Sequence, residues 1–298
     1  MDRGQSPLVD IMCIEPLDDD LLEGRSPPTD RPRVFGGLVL AQALLAAGGT
    51  VPVEHGVHAL HASFLQPGDP EAPIRYRVTR SRDGRSFTTR QVLAEQSSRP
   101  ILHLTASFHR SEDGDEHAFG PPDVVEPEQL SVLPIERMHD PVAAAIARRS
   151  GIDLRYAPIG ASTCDGPRPT GQRVWFRVTG SLGDDHLLHA AALTYASDLT
   201  VLVAALVPHD LRAEDRQMAS LNHAMWFHRP VRADGWLLFD LRAERTTGAR
   251  GLATGRLHTT GTHHVATVAQ EGLVRPPRHR RGVENASAAI DAGRSTDA

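Results

Sequence analysis

The feature that most constrains this chain is a long apolar segment with an acidic residue near its centre. Residues 187–207 read LLHAAALTYASDLTVLVAALV, with Asp198 as the only acidic side chain. An unpaired buried carboxylate is costly, and Asp is a poor residue for a helix interior. The segment predicts a buried helix in which Asp198 has polar partners, structural or catalytic. A solvated stripe is the alternative, but the flanking apolar residues leave it little room.

The same segment is long enough to cross a bilayer, which takes about 20 apolar residues. An Asp at the centre of a span costs about 2.5–3.5 kcal/mol, so a core helix fits better and no membrane span is expected. Residues 1–20 lack a signal-peptide pattern, and the C-terminal residues form no peroxisomal signal. With only two cysteines, Cys13 and Cys164, the sequence predicts a cytoplasmic protein.

Composition and missing motifs exclude several classes of function. The net charge of −5 makes nucleic acid an unexpected partner. All 32 basic residues are arginine, which excludes a Schiff-base lysine and a P-loop lysine. The chain has no Gly-x-Ser-x-Gly elbow, no His-Glu-x-x-His or paired Cys-x-x-Cys motif and no Gly-x-Gly-x-x-Gly loop. We therefore expect neither a metal nor a cofactor.

An internal repeat indicates the architecture. Residues 61–67, HASFLQP, resemble residues 223–230, HAMWFHRP, and an apolar helix precedes each copy, at 38–47 and 187–207. Alternating strands with short turns follow each copy, as in antiparallel meanders. The predicted strands are 74–79, 87–94 and 101–109 in the first half, and 236–241, 252–258 and 264–273 in the second, which a strand at 173–180 precedes. The pattern predicts an α+β fold in which a curved sheet wraps its own helix, twice.

Composition also predicts where the halves end. The first half should occupy residues 1–110, and an acidic, proline-rich linker with a short helix should follow at 111–165. The second half, which contains Asp198, should occupy 166–275. Residues 276–298 have little apolar content, so a disordered tail is expected.

Several motifs follow one another in a fixed order along the chain. They are Arg33–Gly37, His58–Gly68, Ala196–Asp198, Ser220–Pro230 and Gln270–Gly272. The Asn-His-Ala-Met-Trp-Phe-His-Arg-Pro stretch is specific, whereas Phe-Gly-Gly alone would be weak. Together these motifs resemble the type II acyl-CoA thioesterases, and the resemblance runs from about Ile14 to Arg275. It implies a double hotdog fold, with two antiparallel sheets each wrapping a long central helix. It also implies hydrolysis of fatty acyl-CoA by a homodimer or larger homo-oligomer.

The resemblance also implies a catalytic set. In that family an Asp on the second helix, a Thr or Ser on the next strand and a Gln on the last strand hold the attacking water. The matching positions here are Asp198, Ser220 and Gln270. Thioester hydrolysis needs a base for the water and a site for the developing oxyanion. Asp198 can accept the proton of the water, while Ser220 and Gln270 can orient it.

The expected oxyanion site is the start of the first helix, where Gly36 and Gly37 leave backbone N–H groups accessible. A tightly packed helix start is the alternative for this glycine pair. His61, on the following strand, is a third candidate for substrate contact, although a structural role is also open. The sequence departs from the family pattern at Leu38, where Gln is common, and at Asn222, where Asp is expected.

Two other functions remain possible. Residues 183–189, GDDHLLH, faintly resemble the motif of hotdog enoyl-CoA hydratases, in which Asp184 and His189 would act on water. Asp184 has a structural alternative, since an acid at a helix N-terminus caps it. The third possibility is a non-catalytic acyl-CoA-binding module, which would keep the fold without the catalytic set.

Overall fold

A computed structural model of the chain describes residues 4–131, 140–158 and 170–277. Among these residues, the helices are α1 Pro7–Met12, α2 Gly36–Gly48, α3 Pro141–Arg149 and α4 His186–Ser197, with 3-10 helices at Pro127–Gln129, Leu202–His209 and Ala213–Asp215. The strands are β1 Ile14–Asp18, β2 Leu21–Gly24, β3 His55–Phe64, β4 Ile74–Asp83, β5 Phe87–Gln96, β6 Arg99–Arg110, β7 Ile152–Ala157, β8 Gly171–Val178, β9 Gln217–Ser220, β10 Asn222–Phe227, β11 Leu237–Thr247, β12 Arg250–Thr259 and β13 His264–Arg275.

The thirteen strands form one sheet in the order β1-β2-β4-β5-β6-β3-β10-β13-β12-β11-β8-β7, with β9 paired to β13. Each half contributes the predicted meander, β4-β5-β6 and β11-β12-β13, and every pairing in these meanders is antiparallel. The predicted helix at 38–47 and the short helix in the linker are confirmed as α2 and α3. The sequence did not predict β7, which lies inside the expected linker and pairs with β8.

The two halves share one sheet, whereas the sequence predicted two. The repeated segments themselves make the junction, because β3 and β10 pair antiparallel, with Ala62 opposite His223 and Leu60 opposite Met225. A strand at the edge of a sheet has unpaired N–H and C=O groups. The pairing of β3 with β10 removes one such edge from each half.

The predicted helix at 187–207 is interrupted. The α-helix α4 ends at Ser197, Asp198 is its C-cap residue, and a 3-10 helix resumes at Leu202. The Ser197 hydroxyl bonds to the carbonyl oxygen of Thr194, and such side-chain bonds compete with the backbone ladder. Asp198 is therefore at the end of an α-helix and not in its middle.

The helical stretch His186–His209 is long and apolar enough to cross a membrane by composition alone. In this structure, however, 94% of its most apolar window is buried inside the protein. The first part, α4, contacts α2 and β3, and the 3-10 helix contacts β8, β11 and β12. The segment occupies the position of a core helix.

Two acids at the start of α4 have different roles. Asp185, and not Asp184, is the N-cap residue, since its carboxylate accepts hydrogen bonds from the backbone N–H groups of Leu187 and Leu188. Asp184 is exposed and forms an ion pair with Arg232 at 2.7 Å. The expectation that Asp184 caps the helix is wrong by one residue.

The core lies where the helices meet the sheet. α2 packs on β4, β5 and β6 and contacts α4, with Leu40 and Leu44 fully buried. A Cβ added to Gly37 would come within 2.6 Å of the carbonyl oxygen of Tyr195. The close approach of α2 to the end of α4 therefore requires glycine at this position, and it brings the start of α2 beside Asp198.

Candidate active site

Asp198, Ser220 and Gln270 meet in one hydrogen-bonded cluster. The amide nitrogen Nε2 of Gln270 donates to Asp198 Oδ1 at 2.9 Å and to Ser220 Oγ at 2.7 Å. The sheet register explains the meeting, because β9 pairs with β13 and sets Ser220 opposite Gly272, two residues from Gln270. The structure thus brings together the three side chains that the sequence singled out. Both amide protons of Gln270 are engaged within the cluster.

The carboxylate of Asp198 is almost removed from solvent, with its side chain 4% exposed. This burial raises the pKa of Asp198 to about 7, against hydrogen bonds from Gln270, the Gly37 N–H and Ser220 that lower it. The charge of Arg31 also lowers the pKa. A carboxyl group with a pKa near neutrality can both take and return a proton under ordinary conditions.

The glycine pair Gly36-Gly37 lies against this carboxylate. A Cβ on Gly36 would stand 2.9 Å from Asp198 Oδ2 and 3.0 Å from the ring of Phe64, so any other residue would crowd the acid. The N–H of Gly37 is directed at Asp198. The start of α2 therefore stabilises the carboxylate itself with its positive end. Gly36 also lines the cavity described below.

His61 lies outside the cluster. It alternates along β3 with the buried residues Leu60 and Ala62, so its side chain projects from the opposite face of the sheet. There it is exposed and meets the edge of the Trp226 ring at 5.3 Å between centroids. The structure gives no support to the substrate contact expected for His61.

A buried histidine, His223, completes the cluster, and sequence reasoning assigned it no role. Its Nδ1 lies 2.6 Å from Gln270 Oε1, and its Nε2 lies 3.1 Å from Ser197 Oγ. Burial lowers the pKa of His223 to about 4, which keeps the ring neutral at ordinary pH. The available signal was its position in the family signature, on the inward face of an alternating strand.

The two departures from the family pattern have structural roles. Asn222 Oδ1 accepts a hydrogen bond from the backbone N–H of Glu271 at 3.0 Å, which ties β10 to the residue after Gln270. Leu38 is 1% exposed and belongs to the core. Neither contributes a charge to the cluster.

The alternative pair, Asp184 and His189, is not arranged for work on a bound water. The side chain of Asp184 is 96% exposed. His189 is buried, with Nε2 3.1 Å from the carbonyl oxygen of Gly183 and Nδ1 accepting from the N–H of Ala233. Backbone groups therefore occupy both ring nitrogens. Neither residue lines the cavity at Asp198.

Asp198 and Ser220 face a cavity of about 430 Å³. Its walls are mainly apolar, and its charged lining residues include three arginines, Arg31, Arg33 and Arg216, as well as the acids Asp140 and Glu214. Arg33 is fixed by a hydrogen bond from Nη2 to the carbonyl oxygen of Met218 at 2.6 Å. Within the described part of the chain, no group of three or more His, Cys, Asp or Glu side chains is placed to hold a metal ion. The cavity offers an apolar surface for a ligand and arginines for any anionic group that the ligand carries.

Comparisons with known proteins identify the family. The family model for acyl-CoA thioesterase matches residues 158–273, and that for the acyl-CoA thioesterase N-terminal domain matches residues 24–109. Acyl-coenzyme A thioesterase 8 of Homo sapiens is 35% identical over 92% of this chain and 92% of its own length. Acyl-CoA thioesterase 2 of Haemophilus influenzae is 33% identical over 90% of this chain and 96% of its own.

A solved structure agrees with these relatives. The crystal structure of an acyl-CoA thioesterase II, TesB2, from Mycobacterium marinum is 37% identical, with a TM-score of 0.79, over 91% of this chain and 99% of that one. The fold therefore belongs to a hotdog-fold hydrolase of acyl-CoA thioesters. The chain is a member of the type II acyl-CoA thioesterase family.

Proposed function

We propose that the chain hydrolyses fatty acyl-CoA at the cluster of Asp198, Ser220 and Gln270. A water held by Asp198 and Ser220 attacks the thioester carbonyl carbon while Asp198 accepts its proton. The tetrahedral intermediate collapses, the carbon–sulfur bond breaks, and the departing sulfur takes the proton back. The products are a free fatty acid and CoA.

The observation that carries this proposal is the buried carboxylate itself. Its raised pKa, near 7, suits a general base at neutral pH. Gln270 donates one amide hydrogen bond to Asp198 and the other to Ser220. In this geometry it therefore acts on the water indirectly, by holding those two side chains in place. Its expected direct contact with the water would require one of these bonds to open.

The cavity supports the same substrate class. Its apolar walls suit an acyl chain, and its three arginines, which line it together with Asp140 and Glu214, supply cationic partners for the phosphates of CoA. We assign the developing oxyanion to the start of α2, on the Gly36 side, because Gly36 lines the cavity beside Asp198.

We also infer that the fold is a double hotdog, with α2 and α4 as the two central helices. The repeated meanders support this inference, since each half places a helix and then β3-β4-β5-β6 or β10-β11-β12-β13 in the same order. Cytoplasmic location and assembly into a homodimer or larger homo-oligomer remain proposals. The exposed Trp226 beside His61 on the outer face of β10 and β3 is compatible with a contact between copies.

The test replaces Asp198 with Asn, which keeps the shape of the side chain and removes the base. Release of free thiol from palmitoyl-CoA should fall about 10²-fold or more, the range of an acid–base contribution. Asp184→Asn is the matched control, because it makes the same change at an exposed acid 14 residues earlier in the sequence.

The control variant should release thiol at close to the wild-type rate. Hydration of crotonyl-CoA, followed by loss of the enoyl absorbance, separates the hydratase alternative. A folded Asp198→Asn protein with near-normal thiol release would exclude the proposed mechanism. Loss of turnover in Asp184→Asn alone would favour the hydratase, and binding of acyl-CoA without any turnover in the wild type would favour the binding module.

A further inference from the structure

A polar chain runs through the protein behind Asp198, away from the cavity. It leads from Ser197 through the His223 ring and the Gln270 amide to Asp198 and Ser220, with successive contacts of 3.1, 2.6, 2.9 and 2.7 Å. His223 and Gln270 are fully buried and neither lines the cavity. The hydrogen-bonded path from His223 to Asp198 therefore runs through Gln270, since His223 Nδ1 is 4.0 Å from Asp198 Oδ1 and 2.6 Å from Gln270 Oε1.

The chemistry of the partners sets the direction of these bonds. An ionised carboxylate can only accept, so the Gln270 amide must turn its nitrogen toward Asp198 and its oxygen toward His223. That oxygen then accepts from His223, which requires the proton of the neutral ring to be on Nδ1. With the ring proton on Nδ1, His223 Nε2 can only accept, so the one proton of the Ser197 hydroxyl is shared between Nε2 at 3.1 Å and the carbonyl oxygen of Thr194 at 2.9 Å.

We propose that His223 is a positioning residue that sets the orientation of the Gln270 amide, and thereby holds Asp198 and Ser220 for the reaction. This inference rests on the proposed role of Asp198. Without a donor at Nδ1, the Gln270 amide could rotate by half a turn. Its Oε1 would then lie against the Asp198 carboxylate, which would bring two hydrogen-bond acceptors into contact. Asp198 and Ser220 would then both lose the donor that aligns them.

The orientation of the amide also affects the proton affinity of Asp198. The hydrogen bond from Gln270 lowers the pKa of this carboxyl, so its loss should raise the pKa further. Ser220 of β9, which also bonds to Asp198, takes its donor from the same amide. The remaining groups around Asp198 do not bond to this amide nitrogen. They are Arg31 before α2, the Gly37 N–H of α2, Tyr195 of α4 and the neutral His223 of β10.

Two substitutions of similar size separate a positioning role from a packing role. His223→Asn can keep an amide N–H near the Nδ1 position, whereas His223→Gln extends its amide toward Ser197 and withdraws the donor from Gln270. We expect His223→Asn to keep kcat within about tenfold of wild type. His223→Gln should lower kcat about 10²-fold with little change in KM, because misalignment at the reacting centre affects the chemical step.

The pH profile provides the readout that packing would not change. The acid limb of kcat/KM should move to higher pH in His223→Gln and stay in place in His223→Asn. In a Gln270→Ala background, His223→Gln should cause no further loss of kcat. Equal losses in the two His223 variants, an unmoved acid limb in His223→Gln, or additive losses with Gln270→Ala would overturn the inference.

A measurement on the wild-type protein covers the case in which the variants do not fold. Nitrogen-15 NMR of the imidazole should show His223 as the neutral Nδ1–H form at pH 6–9, and an Nε2–H form would contradict the inference. The two proposals fail separately. If the Asp198→Asn protein is active, the proposed mechanism is excluded. If it is inactive but His223→Asn and His223→Gln lose kcat equally, only the positioning role is excluded.

Discussion

At the residue scale, Asp198, the base in the proposed mechanism, lowers the stability of the protein when it is ionised. The unfolded chain loses this proton at the usual pKa of 3.8, but the folded protein holds it to about pH 7. Between these values the folded state binds more protons than the unfolded state, so stability falls as pH rises through the window from about 4 to 7. Above about pH 7, the folded protein holds Asp198 as an ionised carboxylate in a buried site.

Replacement by Asn should therefore stabilise the protein while it inactivates it. Asp198→Asn should raise Tm at pH 8, by about 2–4 °C per kcal/mol regained, and change it much less at pH 4, where the native acid is already neutral. Thermal unfolding at both pH values tests this. A lower Tm at pH 8, or equal shifts at the two pH values, would show that the buried charge of Asp198 does not lower the stability of the folded protein.

The sequence predicted three members of the candidate cluster but not how their side chains bond to one another. Asp198 was conspicuous because a charge stood in an apolar run, and Ser220 and Gln270 followed from the family motifs. His223 was missed because its role depends on which groups meet its ring across β10, β13 and α4. His61 was included because it lies on the strand that follows the first helix, yet strand alternation places it on the outer face of the sheet. Tertiary contacts decided the case of His223, whereas the direction of the His61 side chain follows from the register of its own strand.

At the scale of elements, α2 and the meanders were predictable because periodicity and flanking turns agree there. The end of α4 was not, because residues 187–207 are apolar on both sides of Asp198 and hydrophobicity alone does not mark the break at Ser197. The break positions the candidate base, because the end of α4 presents Asp198 to the start of α2. The Ser197 hydroxyl bonds to the carbonyl oxygen of Thr194 at this point, a contact that a hydrophobic pattern does not reveal.

The start of α4 gives a test at this scale. Asp185 accepts from two backbone N–H groups that have no partner within the helix, so Asp185→Ala should lower the free energy of unfolding by about 1 kcal/mol. Asp184→Asn removes only an exposed ion pair with Arg232 and should change it by less than about 0.5 kcal/mol. Urea denaturation of both variants makes the comparison, and a larger loss at Asp184 would reverse the capping assignment.

At the scale of the whole molecule, the site belongs to both halves although Asp198, Ser220 and Gln270 all come from the second. The cavity is lined by Gly36 and Phe64 of the first half as well as by Asp198 and Ser220. The β3–β10 pairing, between strands of the repeated segments, holds the halves in one sheet. The sequence revealed the repeat but not this junction, since strand periodicity does not specify which edges pair.

This arrangement predicts that neither half works alone. If the chain is divided into residues 1–131 and 132–298, each fragment should lack thiol release, because it has half of the cavity and one exposed edge, β3 or β10. Co-expression should restore a complex that elutes as one species and hydrolyses acyl-CoA. The same pair carrying Asp198→Asn should assemble without activity, which separates assembly from chemistry. Turnover by fragment 132–298 alone would show that the first half is dispensable for the site. A wild-type pair that assembles but is inactive would show that an uncut chain is required to position α2 against Asp198.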